Sequence, residues 1–194
     1  MYNYISGKLA EATPSYAVID NNGIGYMLEI SLTTYSQIKD LKEVKLYTHY
    51  VVREDAHLLF GFYEEKERTL FRSLINVNGV GVGTARVMLS TFSAAELVGA
   101  IVSENVKLVQ SIKGIGTKTA QRIVLELHDK LGKDEDTLIA NIVPQNNKNL
   151  EEALSALVML GFQKSQAEKV LNKIYSDKVG LSVEELIKQA LKVL

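Results

Sequence analysis

The sequence predicts an α+β multidomain protein: an N-terminal OB-type β-barrel, a central helical domain with two helix-hairpin-helix motifs, and a C-terminal three-helix, UBA-like bundle. Three observations support this prediction. Short β-forming runs crowd the first third of the 194 residues, a glycine-rich turn occurs twice in the middle third, and three helix-capping signatures follow one another in the last third. The expected boundaries are 1–63 for the barrel, 64–133 for the helical domain, 134–148 for a linker and 149–194 for the bundle.

Five runs rich in β-branched and aromatic residues predict the strands, at 2–9, 15–20, 25–30, 44–51 and 58–62. Between the second and third runs, Asp20-Asn21-Asn22-Gly23 is typical of a tight β-turn. Five short strands in so small a segment suit a closed OB-type barrel, and a small sandwich or an SH3-like barrel fits the pattern as well.

Helical periodicity begins after the last strand and predicts helices at 64–75, 94–102, 106–112 and 117–131. Ser93 followed by Glu96 is a capping-box signature for the second of these helices. The polar stretch at 132–148, which contains Pro144 and several asparagines, predicts a linker.

Three capping signatures with the same spacing predict the helices of the last third, at 150–160, 166–175 and 183–193. They are Asn149 with Glu152, Ser165 with Glu168, and Ser182 with Glu185. Gly161 is expected to end the first of these helices. A bundle this small has little core of its own, so a docking function is expected.

The composition is that of a globular protein, with 46% hydrophobic and 23% charged residues and no apolar run long enough for a membrane helix. The first residues do not have the layout of a signal peptide, so a cytoplasmic location is expected. The absence of cysteine excludes disulfides and thiolate metal sites. The three histidines have no metal-ligand spacing, and we expect no metal and no cofactor.

The net charge of the chain is −1, but residues 64–133 contain 10 basic and 7 acidic side chains, a local charge of +3. This excess favours an anionic partner for the middle third, although ordinary scatter of charges would also produce it.

An internal near-repeat is the most informative feature. The stretch NGVGVGTAR at 78–86 recurs as KGIGTKTAQR at 113–122, and each copy follows a predicted helix and opens into another. The glycines allow a tight turn and a close backbone approach. The first N–H groups of the following helix have no partner inside it and, with the helix dipole, form a phosphate site.

Two such turns, 35 residues apart, could hold phosphates of both strands of a DNA duplex without reading its sequence. Lys118 and Arg122 lie one turn apart on the second helix and could reach the same phosphate, and Arg86 is taken as the matching cation after the first turn. The predicted DNA-binding residues are Asn78, Gly79, Gly81, Gly83, Thr84, Arg86, Gly114, Gly116, Thr117, Lys118, Thr119 and Arg122.

Other interpretations of the turns are an ordinary pair of αα-hairpins, a nucleotide-binding P-loop and a dinucleotide fold. The P-loop is excluded because Thr117 stands where its glycine would precede the lysine. A dinucleotide fold is excluded because no parallel βαβ unit surrounds either turn.

The two hairpins, the preceding barrel and the following bundle together resemble the RuvA family of bacterial Holliday-junction-binding proteins over essentially the whole chain. THYVVREDAHLLFGF at 48–62 is similar to the family's signature segment, and ERTLF follows at 67–71. The resemblance implies a non-enzymatic homotetramer, or an octamer, that holds a four-way DNA junction open in recombination and repair. It also implies recruitment of the RuvB ATPase motor by the C-terminal domain, with the RuvC resolvase as a further partner.

Residue by residue, Glu54 and Asp55 match the family's acidic pin, whose carboxylates would keep DNA strands apart at the crossover. From the residues alone, a polar β-turn or a pair of nuclease carboxylates is also open. The candidates for motor docking are Leu157, Leu160, Phe162 and Leu191, of which the first three could equally be core residues.

The chain departs from the family pattern in the first hairpin, which lacks the proline and lysine that follow Gly-Val-Gly in many relatives. In the second hairpin, Thr117 occupies a position that is often lysine. Fewer phosphate contacts and a shallower salt dependence of binding are therefore expected. Two rival functions remain: a helix-hairpin-helix glycosylase or nuclease, which needs a base pocket or catalytic cluster, and a protein-binding adaptor.

Overall fold

The computed structural model describes residues 2–139, 146–177 and 181–194. The chain divides into two compact units, Met1–Asp136 and Thr137–Leu194. The first unit consists of a β-barrel followed by helices, and the second consists of three helices. The predicted fold class is confirmed.

Five strands form the barrel: β1 (Tyr4–Ala12), β2 (Tyr16–Asn21), β3 (Ile24–Ile30), β4 (Glu43–Val52) and β5 (His57–Phe62). Their hydrogen-bonded order, β1-β2-β3-β5-β4, closes on itself, so the prediction of a closed barrel is confirmed. Only β3 and β5 pair in parallel. Asn22 and Gly23 both have positive φ, at 52° and 86°, which confirms the predicted turn between β2 and β3.

A helix that the sequence analysis did not predict, α1 (Leu32–Ile38), connects β3 to β4. The Ser31 hydroxyl caps it by accepting a hydrogen bond from the Thr34 backbone N–H at 3.0 Å. The helix has only seven residues, and its threonines have low helix propensity, so periodicity alone could not find it.

Five helices follow the barrel: α2 (Glu65–Ile75), α3 (Val82–Thr91), α4 (Ala94–Val102), α5 (Val106–Gln110) and α6 (Thr117–Ile139). Their buried residues form one core that also contains Phe60 and Phe62 of β5. The Phe71 ring of α2 lies with its centroid 5.1 Å from that of Phe60 and 4.9 Å from that of Phe62. The hairpin helices and the barrel therefore share a core, which restricts their relative movement.

The helix limits agree with the sequence prediction at α4 and differ at α6. The capping box of Ser93 and Glu96 is confirmed. Helix α6 continues to Ile139, past the predicted end at 131, because Gly132 costs an α-helix only about 1 kcal/mol and does not stop it. The predicted linker, 134–148, is thus helical at its start and again from Asn146. Its residues 140–145 lie outside the described part of the chain.

The second unit contains α7 (Asn146–Met159), α8 (Lys164–Asp177) and α9 (Val183–Ala190) around a small core. The capping box of Ser182 is confirmed, and Gly161 follows α7 with φ of +100°, as expected for the residue after a helix end. Two predicted caps are wrong, since Asn149 lies inside α7 and Ser165 inside α8. The Asn149 side chain instead donates a hydrogen bond to the Leu181 carbonyl at 3.2 Å.

In the described residues, no single helix is long and apolar enough to cross a membrane, and α3 and α4 meet that test only as a pair bent by 99°.

Candidate nucleic-acid interface

The two glycine turns have the same backbone geometry. Gly79 and Gly114 both lie in the left-handed region, with φ of +93° and +90°. One residue later, Val80 and Ile115 are 5% and 6% exposed, so each fixes its turn in the hydrophobic core. Each also donates a backbone hydrogen bond to the residue three positions earlier, at 3.0 and 3.1 Å. The predicted hairpin repeat is therefore present as a structural repeat.

Each turn ends at the start of a helix. The first intrahelical hydrogen bonds run from the Ala85 N–H to the Gly81 carbonyl and from the Ala120 N–H to the Gly116 carbonyl, both at 2.9 Å. No side chain caps α3. The N–H groups that precede Ala85 and Ala120 in each helix thus lie at the positive end of a helix dipole. Such a group of donors can bind a phosphate oxygen.

Three glycines near these donors are not required by the fold. A Cβ atom added at Gly81, Gly83 or Gly116 would meet no protein atom within 4 Å, and none of the three has the positive φ that favours glycine. Gly81, for example, has φ of −84° and ψ of 167°, which any residue can adopt. A smooth surface without side chains at these positions is what a closely approaching backbone requires.

The two hairpins contact each other directly. The Arg122 Nη1 atom donates a hydrogen bond to the Asn78 carbonyl at 3.1 Å, and a Cβ at Gly79 would lie 3.7 Å from the Thr119 hydroxyl oxygen. The turn of the first hairpin therefore rests on the first turns of α6. This contact fixes the spacing between the two groups of N–H donors.

The cations that the sequence analysis selected occupy different environments. Lys118 is exposed next to the donors of α6, and the Arg122 side chain is 48% exposed besides its bond to Asn78. The Arg86 Nη1 atom lies 2.7 Å from the Glu29 Oε2 atom on the barrel. With the 35-residue offset of the repeat, Arg86 matches Gln121, so its interpretation as the counterpart of Arg122 is wrong.

The remaining predicted residues of the hairpins lie in the turns or in the first turns of α3 and α6. Thr84 and Thr119 are half-buried in the first turns of α3 and α6, and Gly114 is exposed. The Thr117 hydroxyl accepts a hydrogen bond from the Gln110 side chain at 2.9 Å, which connects α6 to the preceding helix.

Glu54 and Asp55 lie at the exposed tip of the loop between β4 and β5. A backbone hydrogen bond of 2.8 Å from the Arg53 N–H to the Ala56 carbonyl closes this loop. Below it, the Tyr50 hydroxyl and the His57 Nδ1 atom are 2.7 Å apart and join the two strands. The two carboxylates thus project from a supported hairpin.

The four candidate docking residues separate into core and surface. Leu157 is 0% exposed in the core of the second unit, so it is not a surface residue, and Phe162 packs partly against that core. Leu160 and Leu191 are 61% and 46% exposed. The sequence analysis missed Met159, which is 89% exposed, because helical periodicity does not distinguish the last turn of a helix from its buried face.

A buried carboxylate that was not predicted from the sequence lies between α1 and α2. Glu67 is 3% exposed, and it accepts hydrogen bonds from the hydroxyls of Ser31 and Thr34. Burial raises the pKa of Glu67, and these two hydrogen bonds partly offset the effect. Nothing in the sequence pointed to this contact, since the partners are more than 30 residues apart.

The fold and the site define a tandem helix-hairpin-helix protein with an N-terminal barrel. Three family models match the chain: "RuvA N terminal domain" over 1–61, "SAM-like Helix-hairpin-helix tandem" over 71–129 and "RuvA, C-terminal domain" over 148–194. The chain belongs to the RuvA family.

Relatives match over the full length. A protein of Christiangramia forsetii is 50% identical, with 100% of both chains covered, and one of Cytophaga hutchinsonii is 48% identical with the same coverage. A protein of Flavobacterium psychrophilum is 47% identical over 99% of both chains. All three are named "Holliday junction branch migration complex subunit RuvA".

Proposed function

We propose that this chain is the junction-binding subunit of a branch-migration complex, and that it has no catalytic site of its own. It holds the phosphate backbones of a four-way DNA junction through its two hairpins, independently of sequence, during recombination and repair. The observation that supports this most strongly is the pair of N–H donor groups next to glycines that the fold itself does not require. The full-length relatives bear the corresponding name.

The residues that contact DNA are inferred from their ability to bind phosphate. The donors of α3 and α6 bind phosphate oxygens, and Lys118 adds a charge-assisted contact at the second hairpin. The first hairpin has no lysine at the equivalent place and relies on backbone donors and the Thr84 hydroxyl. Contacts to phosphate give affinity and position without sequence specificity, as a complex that moves along DNA requires.

The loop at 53–56 is proposed to keep the junction in its open form. In a homotetramer, four copies of Glu54 and Asp55 would meet at the centre of an open junction and repel the strands that cross there. An octamer of two such tetramers would enclose the DNA from both sides. The rival class of helix-hairpin-helix glycosylases and nucleases is not favoured by relatives that are named, over their whole length, as branch-migration subunits.

The C-terminal bundle is assigned to the RuvB ATPase motor. Leu160 and Leu191 are exposed apolar residues of the second unit, and Met159 adds a third. Large exposed apolar side chains on so small a bundle favour a protein partner. RuvC is a further proposed partner of the assembled complex, which would act in the cytoplasm.

The test is a titration of a synthetic four-way junction, against a linear duplex with the same arm sequences, at fixed salt. Wild type is compared with Lys118→Ala and with Lys39→Ala, an equal change of charge at an exposed position at the end of α1. We expect strong junction preference in the wild type, and weaker binding of both DNAs in Lys118→Ala but not in Lys39→Ala. Equal wild-type binding to both DNAs would leave a generic duplex binder, and no binding would favour the adaptor function.

The acidic loop is tested in the same titration with Glu54→Gln/Asp55→Asn. Because both residues are exposed in a loop, the substitutions should leave the melting temperature unchanged. We expect the duplex to bind more tightly and the junction preference to fall. An unchanged ratio of the two affinities would contradict the role of the pin.

A further inference from the structure

Helix α3 of the first hairpin is held at two places, once by α1 and once by a strand of the barrel. At its C-terminal end, the Ser90 hydroxyl accepts a hydrogen bond from the Leu32 N–H at 3.0 Å, and the Thr33 hydroxyl donates to the Leu89 carbonyl at 2.7 Å. In the middle of the helix, the Arg86 guanidinium pairs with the Glu29 carboxylate of β3 at 2.7 Å. This second contact lies about one turn after the N–H donors of α3 that are proposed to bind phosphate.

The geometry of the ion pair favours a fixed conformation. The two side chains are 32% and 30% exposed, so water screens the pair only in part. The same Arg86 Nη1 atom lies 3.4 Å from the Ser15 carbonyl in the β1–β2 turn. Arg86 therefore points across the interface towards the barrel, and its guanidinium is engaged there by a carboxylate.

Glu29, the barrel residue of the ion pair, lies on a strand that pairs with the strand leading to the acidic loop. Glu29 is the register partner of Phe60 in the parallel β3–β5 ladder. From Phe60, β5 runs back to His57, where the loop at 53–56 ends, a distance of about 10 Å along the strand. The ion pair thus joins the middle of α3 to the part of the barrel that supports Glu54 and Asp55.

We propose that the Glu29–Arg86 ion pair positions the first hairpin relative to the acidic loop, and that Arg86 acts through Glu29 and not by binding a phosphate. The inference rests on the proposed function, since it assigns the pair a role in junction selectivity. A four-way junction must meet both hairpins and the loop at once, whereas a linear duplex need only meet the hairpins. A shift of α3 would therefore weaken junction binding more than duplex binding.

Glu29→Gln separates this role from direct contact with DNA. If Arg86 bound phosphate, removal of its acidic partner would free the guanidinium and strengthen binding of both DNAs. If the pair positions the hairpin, Glu29→Gln and Arg86→Gln should both lower the ratio of junction to duplex affinity, by about threefold to tenfold. The double reversal Glu29→Arg/Arg86→Glu should restore most of the ratio, because it recreates the pair.

The experiment measures Kd for junction and duplex for the wild type, the two neutral variants, Arg86→Glu and the double reversal. Glu43→Gln, at an exposed carboxylate of β4, is the control for loss of one negative charge from the barrel, and it should leave the ratio unchanged. Tighter junction binding by Glu29→Gln, or a double reversal no better than Arg86→Glu, would overturn the inference. A wild-type ratio near one would overturn the proposed function as well, whereas a high wild-type ratio that no variant changes would overturn this inference alone.

Discussion

Arg122 in the second hairpin donates a hydrogen bond to the backbone carbonyl of Asn78 in the first, at 3.1 Å. The two turns, which are 35 residues apart in sequence, are therefore held together by a side chain that was expected to serve only DNA. Lys118, one turn earlier on α6, is exposed and is the cation that we propose binds phosphate. We therefore expect the loss of Arg122 to affect stability, and the loss of Lys118 to leave stability unchanged.

Lys118→Ala and Arg122→Ala should differ in their effect on stability. Lys118→Ala should lower DNA affinity about tenfold and reduce the salt slope of binding by about 1, with the free energy of unfolding within about 0.5 kcal/mol of wild type. Arg122→Ala should also lower DNA affinity, and it should destabilise the fold by about 1 kcal/mol through loss of the bond to Asn78. Urea unfolding and gel-shift titrations measure the two effects.

Gln121→Ala, at an exposed neighbour on α6, is the control and should change neither quantity by much. Equal stability of the Lys118 and Arg122 variants would contradict a structural role for Arg122.

Substitution of the turn glycines by alanine should lower stability at two positions and DNA binding at two others. Gly79→Ala and Gly114→Ala should each destabilise the protein by about 1–2 kcal/mol, since a Cβ is strained at φ near +90° even where space is available. Gly81→Ala and Gly116→Ala should leave stability nearly unchanged and weaken DNA binding, because their Cβ atoms would meet the DNA backbone and no protein atom. Thermal unfolding and DNA titration distinguish the classes.

Gly99→Ala inside α4 is the matched control, since its Cβ also meets no atom within 4 Å. It should stabilise the protein by up to about 1 kcal/mol and leave DNA binding unchanged. Full DNA affinity in the Gly81 and Gly116 variants would mean that no backbone approaches these positions.

Glu67 should make stability depend on pH. Its pKa is raised above the ordinary value of 4.5, chiefly by burial, so the folded protein holds the proton more tightly than the unfolded chain. The stability that this provides is fully present below the unfolded pKa and is lost as pH rises through the folded pKa. Relative to Glu67→Gln, which does not titrate, the wild type should therefore be most stable in acid and lose that advantage towards neutral pH.

The measurement is the difference in melting temperature between wild type and Glu67→Gln at a series of pH values. A constant difference for Glu67→Gln across the series would show that the carboxyl is not perturbed by its burial.

Substitutions of Leu157 and Leu160 should affect different properties, the first stability and the second binding of RuvB. Leu157→Ala should destabilise the second unit by about 2–5 kcal/mol, since it leaves a cavity at a position that is 0% exposed. Leu160→Asp should leave the fold intact and weaken binding of purified RuvB, because that side chain is 61% exposed. Thermal unfolding and a pull-down with the full chain test both statements.

Lys164→Ala, an exposed position at the start of α8, is the control for the RuvB experiment. Undiminished RuvB binding by Leu160→Asp would place the docking surface elsewhere.

Patterns of neighbouring residues predicted most of the helices and strands, but they predicted the first and last residues of the helices less accurately. Ser93 and Ser182 were predicted as caps correctly, because a capping box is complete within four residues. Asn149 and Ser165 match the same pattern but lie inside helices, since a residue that favours a cap can also be accommodated where packing extends the helix. Helix α1 was missed because seven residues contain too little periodicity.

The sequence by itself determined the five strands, the paired turns and the family, because each depends on patterns in neighbouring residues or on resemblance over the whole chain. Closure of the strands into a barrel was decided by the tertiary structure. Only the tertiary structure decided which cations face solvent. Arg86 and Lys118 follow similar glycine turns, but the first meets Glu29 across the interface with the barrel and the second remains exposed. The partner of a long side chain depends on which distant segments fold against it, and the distance along the chain between Glu29 and Arg86 leaves no local pattern from which that contact could be predicted.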